Sequence, residues 1–208
     1  MKTTIYLVRH TETVGNVEDR FVGRTDFDIT ERGEKYIEEF TERLKNVKFD
    51  KAYSSTSPRT RKTIQKLAMI NHIIIEETDQ LCEMDFGDYD GKKWEEVDKI
   101  NPEVRKTRDL INEIKHIPNQ ETIQEVTERM VKTMHTIAKN NVGKTVLVCS
   151  HGVAIESFLR HVSGEGFTIR QNEYGQRNTS INIVEYDDLD DTFKILVLND
   201  YSHILNPQ

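Results

Sequence analysis

Cysteine is scarce in this chain: 208 residues hold two, Cys82 and Cys149, far apart. Neither forms a metal or redox motif with a neighbour, so a zinc ribbon, a dithiol centre and a disulfide framework are all unexpected. A reducing, cytoplasmic setting is the expectation, and Cys149, which ends an apolar run, reads as a small buried residue. No apolar stretch is long enough to span a bilayer, and the residues after Met1-Lys2 read as a strand, not as the core of a signal peptide. Positive charge is in deficit as well. Lys and Arg number 29 against 36 Asp and Glu, a net charge of −7. No general affinity for nucleic acid or for an anionic membrane is expected, and an anionic substrate would need a local basic pocket. Solenoid repeats and low-complexity linkers are absent, and nothing marks a domain boundary. Residues 1–208 therefore read as a single domain with a full core.

Strand-like and helix-like runs alternate, the pattern of an α/β fold with a largely parallel central sheet. Strands are expected at residues 3–8, 49–54, 73–75 and 145–149. Thr30 is placed to cap a helix whose Tyr36, Ile37, Phe40 and Leu44 share one face. Pro58 opens a second helix, to about residue 71. Residues 94–117 look helical with a break near Pro102, and 122–140 carry a stripe of Ile123, Val126, Met130, Met134 and Ile137. A further helix starts at His151. Residues 180–186 and 193–198 flank the acidic turn 187–191, which predicts a hairpin and some antiparallel pairing.

The chemistry is concentrated where strands end. Ile5-Tyr6-Leu7-Val8 runs into Arg9-His10, delivering a cation and an imidazole to the sheet end where open α/β folds keep ligands. Thr145-Val146-Leu147-Val148-Cys149 runs into Ser150-His151-Gly152, and a helix N-terminus there offers N–H groups and a favourable dipole to an anion. Arg59 lies in the first turn of a helix, where a cation opposes the dipole, so a compensating anion is expected beside it. Glu83 sits in an acidic, glycine-bearing loop that would ordinarily be solvated.

Taken in order, these residues resemble the histidine phosphatase superfamily, also called the phosphoglycerate mutase-like family. The resemblance runs through nearly the whole chain: Leu7-Val8-Arg9-His10-Thr11-Glu12-Thr13 and Asn16, then Phe21-Val22-Gly23-Arg24-Thr25-Asp26, then Ile29-Thr30 and Gly33. Tyr53-Ser54-Ser55 with Arg59 and Thr63 follows, then Glu83 with Phe86-Gly87 and Gly91. Ser150-His151-Gly152, Asn178-Thr179-Ser180, Asn199-Asp200 and His203 complete it.

The resemblance implies a three-layer α/β/α sandwich and a phosphohistidine mechanism. It makes His10 the nucleophile, Arg9 and Arg59 phosphate clamps, His151 a donor to the transferring oxygens and Glu83 the general acid and base. Asn16, Gly23 and Gly152 join Arg9, Arg59 and His151 in the substrate cradle. No metal and no cofactor are implied for a phosphatase acting on a small phosphorylated metabolite. The alternatives are a cofactor-dependent phosphoglycerate mutase, which would need 2,3-bisphosphoglycerate, and a non-catalytic phosphate-binding module. A two-histidine-one-carboxylate metal site at His10, His151 and Glu83 is disfavoured by the converging arginines. Thr11 departs from the Gly usual after the catalytic His, and Asp90 stands where many members carry Glu, a change expected to bear on substrate alone. Mutases typically follow the catalytic Glu with Arg-His-Tyr-Gly; here Met84-Asp85-Phe86-Gly87 follows, which favours the phosphatase. Residues 85–120 are expected to shape substrate choice. Homodimer pairing through a strand edge or the Met-bearing helix face stays open, since such a stripe is ordinarily core.

Overall fold

The computed structural model describes residues 1–102, 117–165 and 174–205. Its strands are β1 Lys2–Arg9, β2 Lys51–Ser54, β3 Ile75–Glu77, β4 Thr145–Ser150, β5 Ile181–Asp187 and β6 Thr192–Asp200. They form one sheet in the order β3-β2-β4-β1-β5-β6. β3, β2, β4 and β1 run parallel, β5 is antiparallel to β1, and β6 closes a hairpin with β5. The described helices are α1 Val14–Val17, α2 Glu31–Leu44, α3 Pro58–Ile70, α4 Trp94–Ile100, α5 Ile123–Lys139 and α6 Gly152–Ser163.

Two helical layers cover the sheet because its strands alternate two apolar faces. Ile5 and Leu7 of β1, Val146 and Val148 of β4, and Val184 of β5 point to one side. There they pack on Val126, Met130 and Met134 of α5 and on Ile155, Phe158 and Leu159 of α6. Val8, Leu147, Cys149, Ala52 and Ile181 point to the other, against Phe40 and Leu44 of α2 and Ile64 and Leu67 of α3. The period of two in the strands and the 3.6-residue stripes in the helices thus meet face to face, each fully buried Leu, Ile or Phe contributing about 1.5–3 kcal/mol. The stripe on α5 is core, as its spacing suggests.

Caps set where the helices begin. Thr30 Oγ1 accepts the N–H of Gly33 at 2.9 Å. A side chain at Gly33 would drive its Cβ to 2.3 Å from the Glu12 carbonyl oxygen, so the residue after His10-Thr11 can lie against α2 only because glycine stands there. Thr122 and Glu125 form a reciprocal capping box at α5.

Two expectations shift. The β-branched triplet 73–75 pairs only from Ile75 onward; Ile74 is 84% exposed. β3 is an edge strand, short and matched only to Ala52–Ser54, so the hydrogen-bonding partner and not β-propensity sets its start. The helix after Trp94 ends at Ile100, two residues before Pro102, as the restriction on residues preceding proline requires; its expected continuation over 103–116 lies outside the described residues. Among the described residues, no helix is long and apolar enough to cross a membrane.

Candidate active site

β1, β4 and β2 end side by side, with Arg9 paired to Ser150 and Ser54 to Cys149. His10 leaves β1 with its N–H still donated to the Ser150 carbonyl at 3.0 Å. Its own carbonyl is held by Asn178 Nδ2 at 3.0 Å and by the N–H of Thr179 at 3.3 Å, a residue in the left-handed region at φ 55°. A β-branched residue in that region is strained, and here the strain brings its N–H onto the Arg9 and His10 carbonyls at once.

The His10 ring is 2% exposed. Its Nδ1 lies 2.6 Å from the Thr11 carbonyl oxygen. A carbonyl only accepts, so Nδ1 carries the proton and Nε2 keeps its lone pair. Burial, followed by the charges of Arg59 and Arg9, holds the His10 pKa well below the ordinary histidine value. Thr11 is accommodated away from this ring. It stays out of the left-handed region, its Oγ1 donates to the Gly33 carbonyl at 2.7 Å, and its N–H donates to Thr63 Oγ1 at 2.9 Å.

Arg59 is fully buried, and its compensating anion is Asp26, whose Oδ1 is 2.7 Å from Nη1. Nη1 also donates to the Thr25 carbonyl at 3.1 Å, and Nη2 to the Gly23 carbonyl at 2.8 Å. Gly23 thus contributes to the support of Arg59. Its N–H is taken by Asp90 Oδ1 at 2.8 Å, and a Cβ there would meet the Met84 carbonyl oxygen at 2.6 Å. Asp90 Oδ2 accepts from Thr25 N–H at 2.7 Å and from its hydroxyl at 3.0 Å. Asp90 therefore braces the loop that holds Arg59, a role nearer the phosphate chemistry than the substrate-only effect expected for that position. Arg9 donates Nη1 to the Gln176 carbonyl at 2.5 Å. In both arginines the buried Nε has no hydrogen-bond partner, leaving two guanidinium N–H groups unsatisfied close to His10.

His151 caps α6 and stacks obliquely near His10, with ring centroids 5.1 Å apart. Arg59 Nη2 donates to its Nδ1 at 3.1 Å, and Ser55 Oγ lies 2.8 Å from its Nε2. Burial and then Arg59 depress its pKa. Two N–H groups of the helix end that His151 opens, those of Val153 and Ala154, are not left for an anion, as the spacing implies. Glu83 occupies them. Its Oε2 accepts the Val153 N–H at 3.1 Å and its Oε1 the Ala154 N–H at 3.0 Å, with the Met84 N–H at 2.8 Å. Gly152 lies between the two partners: a Cβ there would sit 3.6 Å from Arg9 Nε and 3.7 Å from Glu83 Oε2.

Arg9, His10, Asn16, Glu83, Val153 and Asn178 line one side of a cleft of about 390 Å³. Phe21, Phe86 and Trp94 make an aromatic wall, Phe21 stacked on Trp94 at 3.9 Å and edge-on to Phe86 at 5.4 Å. Arg59, His151 and Gly23 are not among the residues that line this cleft. Asn16 uses Oδ1 to cap α1 through Thr13. Asp26, Ser55, Phe21 and Phe86 lie in the stretches that carry the family resemblance but are given no role there; Trp94 lies outside those stretches, and its being the one tryptophan of the chain is the available signal for it. Among the described residues no group of three His, Cys, Asp or Glu side chains is arranged to hold a metal ion. His151, with both nitrogens engaged and Arg59 against it, has no lone pair free for one.

A model of the histidine phosphatase superfamily (branch 1) matches residues 5–201. The chain belongs to this superfamily. It is similar to an uncharacterized phosphatase PhoE of Bacillus subtilis, 31% identical over 162 residues and 78% of each chain. It is 28% identical over 209 residues to a probable phosphoglycerate mutase GpmB of Salmonella arizonae, covering 98% of this chain and 95% of that one. Among solved structures, YhfR of Bacillus stearothermophilus superposes with a TM-score of 0.90 at 29% identity, over 97% of this chain and 99% of that one. The superfamily and these relatives indicate a phosphatase or mutase enzyme.

Proposed function

We propose that this protein is a metal-independent phosphatase that hydrolyses a small phosphate monoester through a phosphohistidine on His10. The observation that carries the reading is the His10 ring: Nδ1–H held on the Thr11 carbonyl, and Nε2 left with its lone pair in a buried pocket flanked by two arginines. In the first step Nε2 attacks phosphorus, the bond to the leaving oxygen breaks, and Glu83 delivers a proton to that oxygen. In the second, water attacks phosphorus, Glu83 takes its proton, and the phosphorus–nitrogen bond returns its electron pair to Nε2. Arg9, which lines the cleft, offers its unpartnered Nε–H to the transferring oxygens, a charge-assisted contact worth about 1.5–3 kcal/mol, and the buried Arg59 adds its positive charge beside His10.

Hydrolysis is favoured over mutase chemistry by the cleft itself. A phosphoglycerate or bisphosphoglycerate needs cations beyond the transferring phosphoryl group. Among the described residues lining the cleft the cations are Arg9 and Arg20, and Arg20 is tied to Glu18 at 2.6 Å and to the Gly91 carbonyl at 2.8 Å. The aromatic wall suits an apolar leaving group better. The mutase reading stands second, on the similarity to the probable phosphoglycerate mutase along nearly the whole chain.

The test is a pair of assays with EDTA present, phosphate release from a panel of monoesters and conversion of 3- to 2-phosphoglycerate, with trapping of a base-stable, acid-labile label on the enzyme at alkaline pH. Phosphate release with label lost in His10→Ala is the expected result. Isomerisation stimulated by 2,3-bisphosphoglycerate would make it a mutase, and binding of phosphate without turnover would make it a regulatory module. Substantial residual activity in a folded His10→Ala would remove His10 as nucleophile.

A further inference from the structure

Glu83 sits in a loop of little regular structure, yet its carboxylate must meet a leaving oxygen within hydrogen-bond reach. The three N–H groups on its carboxylate fix only the side chain's end. The backbone that carries it is fixed from the opposite side by one residue of α5, Arg129.

The Arg129 guanidinium uses all five of its N–H groups. Nη1 donates to the Gln80 carbonyl at 2.9 Å and the Cys82 carbonyl at 2.8 Å. Nη2 donates to the Glu83 carbonyl at 3.1 Å and to Glu121 Oε2 at 3.0 Å, and Nε donates to Glu121 Oε1 at 2.6 Å. The planar fork of arginine is what allows three carbonyls of one loop and a bidentate carboxylate to be held at once; an ammonium cannot reproduce it. Glu121 completes the clamp on the far side of Glu83, where its Oε2 accepts the Asp85 N–H at 3.0 Å. Its backbone N–H is donated to the Asp85 carbonyl at 2.9 Å. The loop is therefore gripped at residues 80, 82, 83 and 85, on both sides of the acid. Glu121 also lies 3.6 Å from Arg24, on the loop that holds Arg59. The Arg129 side chain is only 11% exposed and that of Glu121 17%, so water competes little for these bonds.

We propose that Arg129, oriented by Glu121, is a positioning residue for Glu83, setting the acid loop so that the carboxyl group reaches the leaving oxygen. The proposal rests on the reading of Glu83 as general acid, and the experiment separates the two. kcat/KM, which reports only formation of the phosphohistidine when that step is irreversible, is measured for p-nitrophenyl phosphate and for an alkyl phosphate. The variants are Glu83→Gln, Arg129→Gln, Arg129→Lys, Glu121→Gln and the double variant Glu83→Gln/Arg129→Gln. A lost proton donor hurts the poor leaving group most. Arg129→Gln is expected to lower kcat/KM for the alkyl phosphate about tenfold more than for p-nitrophenyl phosphate, with Arg129→Lys intermediate. Added to Glu83→Gln, it should leave that selectivity unchanged, because the group it positions is already gone.

Circular dichroism and thermal midpoints accompany each variant; if Arg129→Gln does not fold, Arg129→Lys and Glu121→Gln carry the same comparison. Selective loss in Glu83→Gln with equal losses on both substrates in the Arg129 and Glu121 variants would overturn the positioning role. Absence of selectivity in Glu83→Gln would overturn the reading of Glu83 itself, and the proposal with it.

Discussion

Arg59 and His151 share a hydrogen bond in which Nη2 donates to Nδ1 at 3.1 Å. A guanidinium can only donate, so the imidazole is bare at Nδ1 and carries its proton on Nε2, where Ser55 Oγ accepts it at 2.8 Å. The role expected for His151, a donor to the transferring oxygens, needs a proton at Nδ1 that this arrangement lacks. A dianionic phosphoryl group beside the ring would supply the reason for one. It offers Arg59 Nη2 a better acceptor, and its charge raises the affinity of His151 for a proton.

Binding of vanadate or phosphate at neutral pH should therefore take up protons from solution. Calorimetry in two buffers of different ionisation enthalpy measures the number. A proton number more positive in the unaltered protein than in His151→Asn is the expected outcome; equal numbers in the two would mean that His151 stays neutral and acts only by holding Arg59 in place.

The second prediction concerns Asp90. Its carboxylate accepts from Gly23 N–H, Thr25 N–H and the Thr25 hydroxyl, and the carbonyls of Gly23 and Thr25 are in turn acceptors for Arg59. Asp90→Ala frees the loop without touching the arginine. Vanadate inhibition should weaken about tenfold, the loss of one charge-assisted contact, while the dependence on leaving group stays that of the unaltered protein because the Glu83 carboxylate keeps its own N–H partners at Met84, Val153 and Ala154. An unchanged inhibition constant would show that Arg59 is held by Asp26 and its own burial alone.

Much of this architecture is legible in the sequence because it rests on local rules. The ends of β1 and β4 are marked by apolar runs that stop at Arg9-His10 and Ser150-His151, and the hairpin of β5 and β6 by its acidic turn. Thr30, Pro58 and Thr122 announce helix starts by their chemistry. What is not legible depends on pairing between distant segments. Ile73 and Ile74 have every local property of strand residues, yet the Ile73 N–H is still donated to the Ala68 carbonyl of α3 and pairing with β2 begins only at Ile75. The N–H groups at the α6 N-terminus look free until Glu83, 70 residues earlier, is seen to occupy them. Arg129 reads as an ordinary helix-surface charge, since its five partners are backbone carbonyls and a carboxylate that no spacing rule connects to it.

The last prediction follows from three histidines whose folded forms resist protonation. His10 and His151 are pushed well below the ordinary value, first by burial and then by Arg59. Burial, aided by Arg43 and opposed by Asp200, lowers His203 to about 4. In the unfolded chain each imidazole binds its proton near pH 6.5. Above that value neither state is protonated there, and the stability is complete. As pH falls below it the unfolded chain takes up protons that the folded chain refuses, so stability declines, through about pH 4 for His203 and through the lowered range of the two buried rings. The slope is about 1.4 kcal/mol per pH unit for each fully buried imidazole. The thermal midpoint should therefore drop as pH is lowered from about 7.5 to about 5, a range in which most carboxylates have yet to titrate. His10→Asn, which removes one of the three groups, should make the decline shallower. A midpoint that stays level across this range would show that the pocket admits protons without cost, and the neutral His10 on which phosphohistidine formation depends would lose its physical basis.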